Sequence, residues 1–472
     1  MLTPEQMDDA GELTAAVYRQ IEADLLEYLV EKLIDGDLSG QRAQTAIALL
    51  AQSMPLQLRK AIDARAGELD AAARADVERA LAASDAWDLA AISTGIGVQL
   101  EADALTAQTI SVVASVRDVI ARDNVELGAA ARSQYMKWAD WAATQVATGN
   151  MTADRAKHIA VRKLAREGLS IEWIQYRDPD TGTRTVRARA DVAVQRHLRT
   201  LIAQGAAQLT LKRCEESDCG FVEVSSHIGA RPSHAEWHGR CYHLGGPVEV
   251  DGVRYEDFYE GTGYMGIKGP YTDLGDQLLG VNCRHSFAPW VPGMPRAYDP
   301  DPEHPSGLDN DEVYELTQKQ REIERDIRAR KRELAAAQKA YDEDPTTESQ
   351  IELAKARQAL RHQQERMRDL LREANAKCKP GTEVLVRQPQ REWAGDMPSG
   401  RLSLPKPSNR TLDEFMKMPS VARARKDAGL SEAALRLRIR DALGVGKGAR
   451  DDFELLSTEQ QRKALQSALE ES

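Results

Sequence analysis

Through residues 1–170 the apolar positions recur every three to four residues, the pattern of successive amphipathic helices. Thr3-Pro4-Glu5-Gln6 reads as a capping box with proline at the first helical position. Behind it, Val17, Ile21, Leu25, Tyr28, Leu29 and Leu33 line one face of a long helix. Gly36-Asp37 breaks that helix, and Ser39-Gly40 restarts a second one carrying Ala46, Ile47 and Leu50. An alanine-rich stretch over 71–91 suits close helix packing. Further helices are predicted over 110–120, 135–146 and 153–164, the last capped by Thr152. Trp138 and Trp141 read as core anchors, not as a cofactor box.

The period then drops to two. Ile171-Glu172-Trp173-Ile174-Gln175-Tyr176 and Thr185-Val186-Arg187-Ala188 flank the turn Asp178-Pro179-Asp180-Thr181-Gly182, which predicts a β-hairpin. A helix over 191–208 leads through 209–214 to a short strand, Phe221-Val222-Glu223-Val224. Pro289, Pro292, Pro295, Pro300, Pro302 and Pro305 then exclude a helix and mark a way out of the domain. Beyond them Val313, Leu316, Ile323, Ile327, Leu334 and Tyr341 form a heptad stripe. Asp344-Pro345 interrupts it, and Leu353, Ala356, Leu360, Met367, Leu370 and Ala374 repeat it. Two such helices predict an antiparallel, coiled-coil-like hairpin. In the tail, helices are predicted over 411–418, 431–443 and 457–469, the last opened by Ser457-Thr458-Glu459-Gln460.

The expected fold class is therefore mainly α with a central α+β domain. A helical N-terminal domain spans 1–170, and a small mixed module with long Gly/Pro-rich loops spans 171–295. A Pro-rich linker follows over 296–308, the helical hairpin over 309–378, a second linker over 379–408 and a helical tail over 409–472.

Composition narrows the function classes. A net charge of −11 argues against wholesale coating of DNA but leaves room for a local basic face. Five cysteines in 472 residues do not make a disulfide framework. The first residues show no basic, then apolar, leader pattern. No apolar run approaches the ~18–20 residues that cross a bilayer. The expectation is a soluble protein made in the cytosol, with no membrane partner.

Candidate chemistry concentrates between Ser225 and Pro292, which holds most of the nine histidines. His234 and His238 lie four apart, so a short helix would put both on one face. Cys283 and His285 alternate, and Cys241 is nearby. Zinc with His and Cys ligands is the metal this set would take, yet the spacing matches no established template. HExxH needs its glutamate directly after the first histidine, and here Glu236 comes second. His234-Ala235-Glu236 fits the first half of the zinc deaminase pattern, but Asn282-Cys283-Arg284-His285 lacks the second. Structural histidines in an irregular loop are the simpler reading, with no cofactor. Cys214 and Cys219 read as ordinary thiols, and Cys283 has no nucleophile elbow around it. Gly261-Thr262-Gly263-Tyr264-Met265-Gly266, with Gly269 and Gly275, lacks the strand and helix of a dinucleotide fingerprint. Lys447 among Gly444, Gly446 and Gly448 follows a helix, so it is no phosphate loop. Arg321, Arg325, Arg328, Arg330, Lys331 and Arg332 read first as a solvated helix face. The functional alternative is contact with packaged DNA or an acidic partner through Arg321, Arg325, Arg328 and Arg332.

The window also carries a resemblance. Ser226-His227-Ile228-Gly229-Ala230-Arg231-Pro232-Ser233-His234-Ala235-Glu236-Trp237-His238-Gly239 is followed by Gly261-Thr262-Gly263-Tyr264 and Gly280-Val281-Asn282-Cys283-Arg284-His285-Ser286-Phe287. In order and separation these resemble the phage minor capsid protein 2 family, a relative of the Mu gpF-like head morphogenesis proteins. The motif residues are His227, Arg231, Pro232, Ser233, His234, Trp237, Gly239, Asn282, Cys283, Arg284 and His285. His238 stands where the family pattern prefers glutamine, so a family-wide site could not depend on it. The likeness extends more weakly to 314–332 and 384–392, and the tail matches nothing.

The resemblance implies a virion component of a tailed phage or prophage, associated with portal, capsid or scaffold proteins, with no small-molecule substrate. It supplies no catalytic residues. Expected roles are docking by the N-terminal helices, a rigid middle module, and the hairpin extending as an arm for assembly contacts. One alternative is a metal-dependent hydrolase or nuclease using His234, Cys283 and His285. Another is a DNA-binding internal head protein.

Overall fold

In the computed structural model the described residues are 1–36, 43–101, 103–178, 182–264, 277–280, 282–396, 410–443, 453–456 and 458–470. Ser39-Gly40, most of the turn at 178–182, Gly266, Gly269, Gly275, Val281, the glycines around Lys447, Ser457 and residues 397–408 of the second linker lie outside them.

The N-terminal stripes become α1 (Pro4–Asp9), α2 (Glu12–Ile34), α3 (Ala43–Asp63), α4 (Ala66–Gly95), α5 (Asp103–Ala147) and α6 (Ala153–Glu167). Thr3 closes the predicted reciprocal box with Gln6, and Thr152 caps α6. The stripes at 110–120 and 135–146 are not separate helices but parts of α5. No capping or breaking signal parts them beyond Gly128, which lies within the helix facing Ile62 of α3. An 18-residue window of α5 reaches a mean hydropathy of 1.2. By length and composition alone α5 could therefore cross a bilayer, which corrects the expectation that no run comes near that. Its stripe of Val112, Val116, Val119, Leu127 and Ala131 is buried in one cluster with residues of α2, α3, α4 and α6.

The predicted β-hairpin forms from β1 (Ser170–Asp178) and β2 (Gly182–Arg189), antiparallel with a register shift between Glu172 and Ile174. Next comes α7 (Ala190–Glu216), which runs on through 209–214 because Leu209 and Cys214 continue its buried face. Then follow β3 (Phe221–Val224), the one-turn α8 (Pro232–Ala235), β4 (Cys241–His243), β5 (Val248–Val250), β6 (Val253–Asp257), α9 (Phe258–Thr262) and β7 (Phe287–Pro289). The sheet order is β5-β6-β4-β3-β7; β4 and β6 are parallel and the other pairs antiparallel.

The hairpin is α10 (Asn310–Glu343) and α11 (Thr347–Asn375), each opened by a capping box. Ile323 and Ile327 meet Met367, and Leu316 meets Ala374 and Leu385, as the heptads require. It does not extend as an arm. A second face of α10, with Arg332, Glu333, Ala336 and Ala340, is buried against the N-terminal helices. Arg162 of α6 reaches Glu333 of α10 at 2.7 Å and Glu352 of α11 at 2.6 Å. The segment at 296–298 is held too: Glu223 accepts from the amides of Ala297 (2.9 Å) and Tyr298 (3.0 Å). In the tail, α12 (Leu412–Met416), α13 (Pro419–Asp427), α14 (Glu432–Ala442) and α15 (Thr458–Glu470) share a core of Phe415, Leu435, Ile439 and Phe453, joined by Ile351 of α11. No sequence signal was read for α13, whose single buried apolar residue is Val421.

Two stability predictions follow from these contacts. Arg162→Met takes away the cation that buried Glu333 and Glu352 share, leaving Arg330 on Glu333 and Lys355 on Glu352. It should cost about 1–3 kcal/mol in urea unfolding. The second concerns α5 and α7, where buried His197 Nδ1 lies 3.1 Å from an Asp123 oxygen. Burial raises the Asp123 carboxyl from 3.8 to about 7, against the pull of Arg122. Burial likewise lowers His197 to about 2, so a neutral imidazole faces a carboxyl that keeps its proton below about pH 7. Between these carboxyl values the native state keeps a proton that the unfolded chain has lost. This group's contribution therefore falls as pH rises from about 4 to about 7, then levels off. Denaturation midpoints at pH 5 and pH 8 should lie closer together in Asp123→Asn than in the unsubstituted chain.

Candidate metal centre beside an arginine-lined cavity

Strand pairing brings the two halves of the His/Cys window together. Because β3 and β7 are antiparallel, the chain leaving β3 at Val224 lies beside the chain entering β7 at Phe287. The Ser225 amide donates to the Ser286 carbonyl at 2.9 Å, and the Ser286 amide donates to Ser225 Oγ at 3.0 Å. Loop 225–239 and segment 282–286 are thus neighbours despite the residues between them. Asn310, the first residue of α10, clamps the loop: its Oδ1 accepts from the amides of Gly229 and Ala230, and its Nδ2 donates to the Ala230 carbonyl. Gly239 is left-handed (φ +54°), and a Cβ there would stand 2.8 Å from the Tyr298 carbonyl.

This arrangement gathers four histidines and a thiol. His285 is the hub, with ring centroids 4.5 Å from His227, 5.0 Å from His238 and 5.6 Å from His234. Ligand atoms of His227, His238 and His285 lie within 4.8 Å of one another, and so do those of His234, Cys283 and His285. His234 and His238 do not share a helix face, since α8 ends at Ala235. They reach the same place because both are buried under Trp237 and the turn that follows. His227 is the member that spacing did not single out as a ligand; its position just after a strand was the available signal. Cys241 joins neither group.

Burial keeps the imidazoles of His227, His238 and His285 neutral. It lowers His227 to about 3, helped by Arg284, and His238 to about 4, helped by His234. It lowers His285 well below its ordinary value too, with His227 and His238 adding to the effect. His227 Nδ1, His238 Nε2 and His285 Nε2 are buried with no hydrogen-bond partner. Each such orphan costs about 1–3 kcal/mol if nothing meets it. Cys283 Sγ sits 3.7 Å from His285 Nδ1. Neutral imidazole lone pairs suit zinc and its divalent neighbours.

Against this cluster lies a cavity of about 360 Å³, lined by His227, His234, His285 and a set of arginines. Arg284 and Arg391 share Asp8, at 2.7 and 3.6 Å, and Arg199 donates to the Met7 and Asp8 carbonyls. The basic stripe of α10 is largely not the solvated face that was expected. Arg328 and Arg332 turn inward to the carboxylates of Asp191 and Glu22, so neither is placed to contact DNA. Arg321 and Arg325 line the cavity and make no ion pair among the described residues.

The model of the family described as phage minor capsid protein 2 matches residues 2–372, taking in the site, the N-terminal helices and nearly all of the hairpin. The chain belongs to this phage minor capsid protein family. It is a structural protein of the bacteriophage virion, and its setting is among other phage head proteins. No curated protein and no solved structure matches the chain. The match ends inside α11, so the tail built around Phe415 and Phe453 lies outside the family region.

The loop clamp is testable without knowing any partner. Asn310→Ala should raise hydrogen–deuterium exchange at the Gly229 and Ala230 amides. It should lower stability by about 1–3 kcal/mol through the orphaned groups, while exchange in the tail helices stays unchanged.

Proposed function

We propose that this minor capsid protein is a portal-associated morphogenesis factor, docked on the portal through its N-terminal helices. The supporting observation is where large apolar side chains stay exposed. Leu49 and Leu56 on α3, Trp87 on α4, and Ile110 and Val125 on α5 are exposed, with Val125 at 74% and Ile110 at 66%. Helices that bury one stripe in a shared core and leave such residues outside are suited to a protein partner. The hairpin, held to α6 and α2 by buried ion pairs, stiffens this body instead of reaching away from it.

Co-expression with the portal protein tests the reading. The two should co-elute in size exclusion. Paired Leu56→Glu and Val125→Glu substitutions should weaken that association about tenfold or more with helicity by circular dichroism unchanged. Separate elution of the unsubstituted pair would refute portal docking while leaving the virion role intact.

A further inference from the structure

The His227/His238/His285 group has a property that a satisfied structural cluster lacks. Nδ1 of His227 and Nε2 of His238 and His285 have no hydrogen-bond partner, and these three residues form a group offering one ligand atom each within 4.8 Å of one another. His285 is 1% exposed and His238 4% exposed. The alternative triad of His234, Cys283 and His285 is differently placed: His234 and Cys283 already have partners, and Cys283 occupies the Nδ1 side of His285. That contact does for His285 what an outer-shell hydrogen bond does for a ligating histidine. With Nδ1–H donating to the Cys283 sulfur, the Nε2 lone pair is the one left to bind.

We propose that His227 Nδ1, His238 Nε2 and His285 Nε2 bind one divalent transition-metal ion, zinc first among them. Zinc–nitrogen bonds of about 2.0–2.1 Å ask for ligand separations of about 3.3 Å, so the triad closes by side-chain rotation on the order of 1 Å. The ion joins loop 225–239 to the strand entering β7, adding a cross-link where the backbone already pairs. A fourth position remains for water or an anion from the cavity, which His227 and His285 also line. With His238 as a ligand, the site is a property of this chain and not of the pattern that carries glutamine there.

Metal analysis of the full chain decides the matter. Protein purified from zinc-supplemented culture and dialysed without chelator should hold about one equivalent of zinc, and chelation should lower its melting temperature. Cobalt(II) added to the stripped protein should give a visible spectrum without a thiolate charge-transfer band. His227→Gln and His238→Gln should each weaken zinc binding by more than about 100-fold, whereas Cys283→Ser, an outer-shell change, should cost less. A chain that carries less than about 0.2 equivalent and takes up none from micromolar zinc overturns the proposal, leaving a buried water as the occupant. So does binding that survives both glutamine substitutions and is lost in Cys283→Ser, which would assign the ion to His234, Cys283 and His285. The metal content of the unsubstituted chain reads out whether or not a variant folds.

Discussion

Two buried carboxylates, Glu22 on α2 and Asp191 on α7, lie where the N-terminal helices, the β-hairpin and α10 meet. Arg332 reaches Glu22 at 3.4 Å, Arg189 at 3.9 Å, and the Leu169 amide donates to it at 2.7 Å. Arg19 and Arg328 flank Asp191 at 3.7 and 4.0 Å. Burial pushes the Asp191 carboxyl upward, and Arg328, Arg19 and Arg332 more than offset it, so it stays ionised. Burial also draws the Arg189 guanidinium down to about 10. Charges this deep are tolerated only as a matched set, because removing one leaves another without compensation. The convergence also needs Gly168, left-handed at φ +57°, since a Cβ there would collide with Arg189 and Glu22.

The placement of the candidate site depends on that network. With α10 locked against α2 and α7, its first residue, Asn310, stands where it can clamp Gly229 and Ala230. Arg321 and Arg325 then line the cavity beside the histidine cluster, Arg325 staying open to solvent as well. The sheet does the rest through one antiparallel pair, β3 with β7, which sets Ser225 against Ser286. A rigid helical body therefore presents apolar residues on its N-terminal helices, and encloses the His/Cys loops next to α10. Those are separate surfaces with separate chemistry, which lets a structural role in the virion coexist with the proposed metal centre.

Much of this was legible in the chain. The capping boxes at Thr3 and the α6 cap at Thr152 formed as read, and so did the β-hairpin around Gly182 and the two heptad helices on either side of Asp344-Pro345. Each of these rests on local hydrogen bonds or on one repeating face. Legibility failed where a helix buries two faces. The residues Arg328, Arg332 and Glu333 look like a solvated stripe, because a charged residue read in sequence carries no sign of the opposite charge waiting more than a hundred residues away. The short strands β4, β5, β6 and β7 were missed for a related reason: with three to five residues each, their pattern is too brief to show a period, and Pro289, read as the way out of the domain, ends β7.

Sequence by itself determined most of the helices and their caps, though not the continuity of α5 or the presence of α13, and the motif residues that mark the family. It did so because those features depend on neighbours three or four residues away. Tertiary structure alone decided that the hairpin lies against the body, that the basic stripe of α10 is spent on Glu22 and Asp191, and that His227 joins His238 and His285. Those outcomes depend on which distant segments share a low-dielectric interior, where unpaired charges and orphaned nitrogens are costly enough to select their partners.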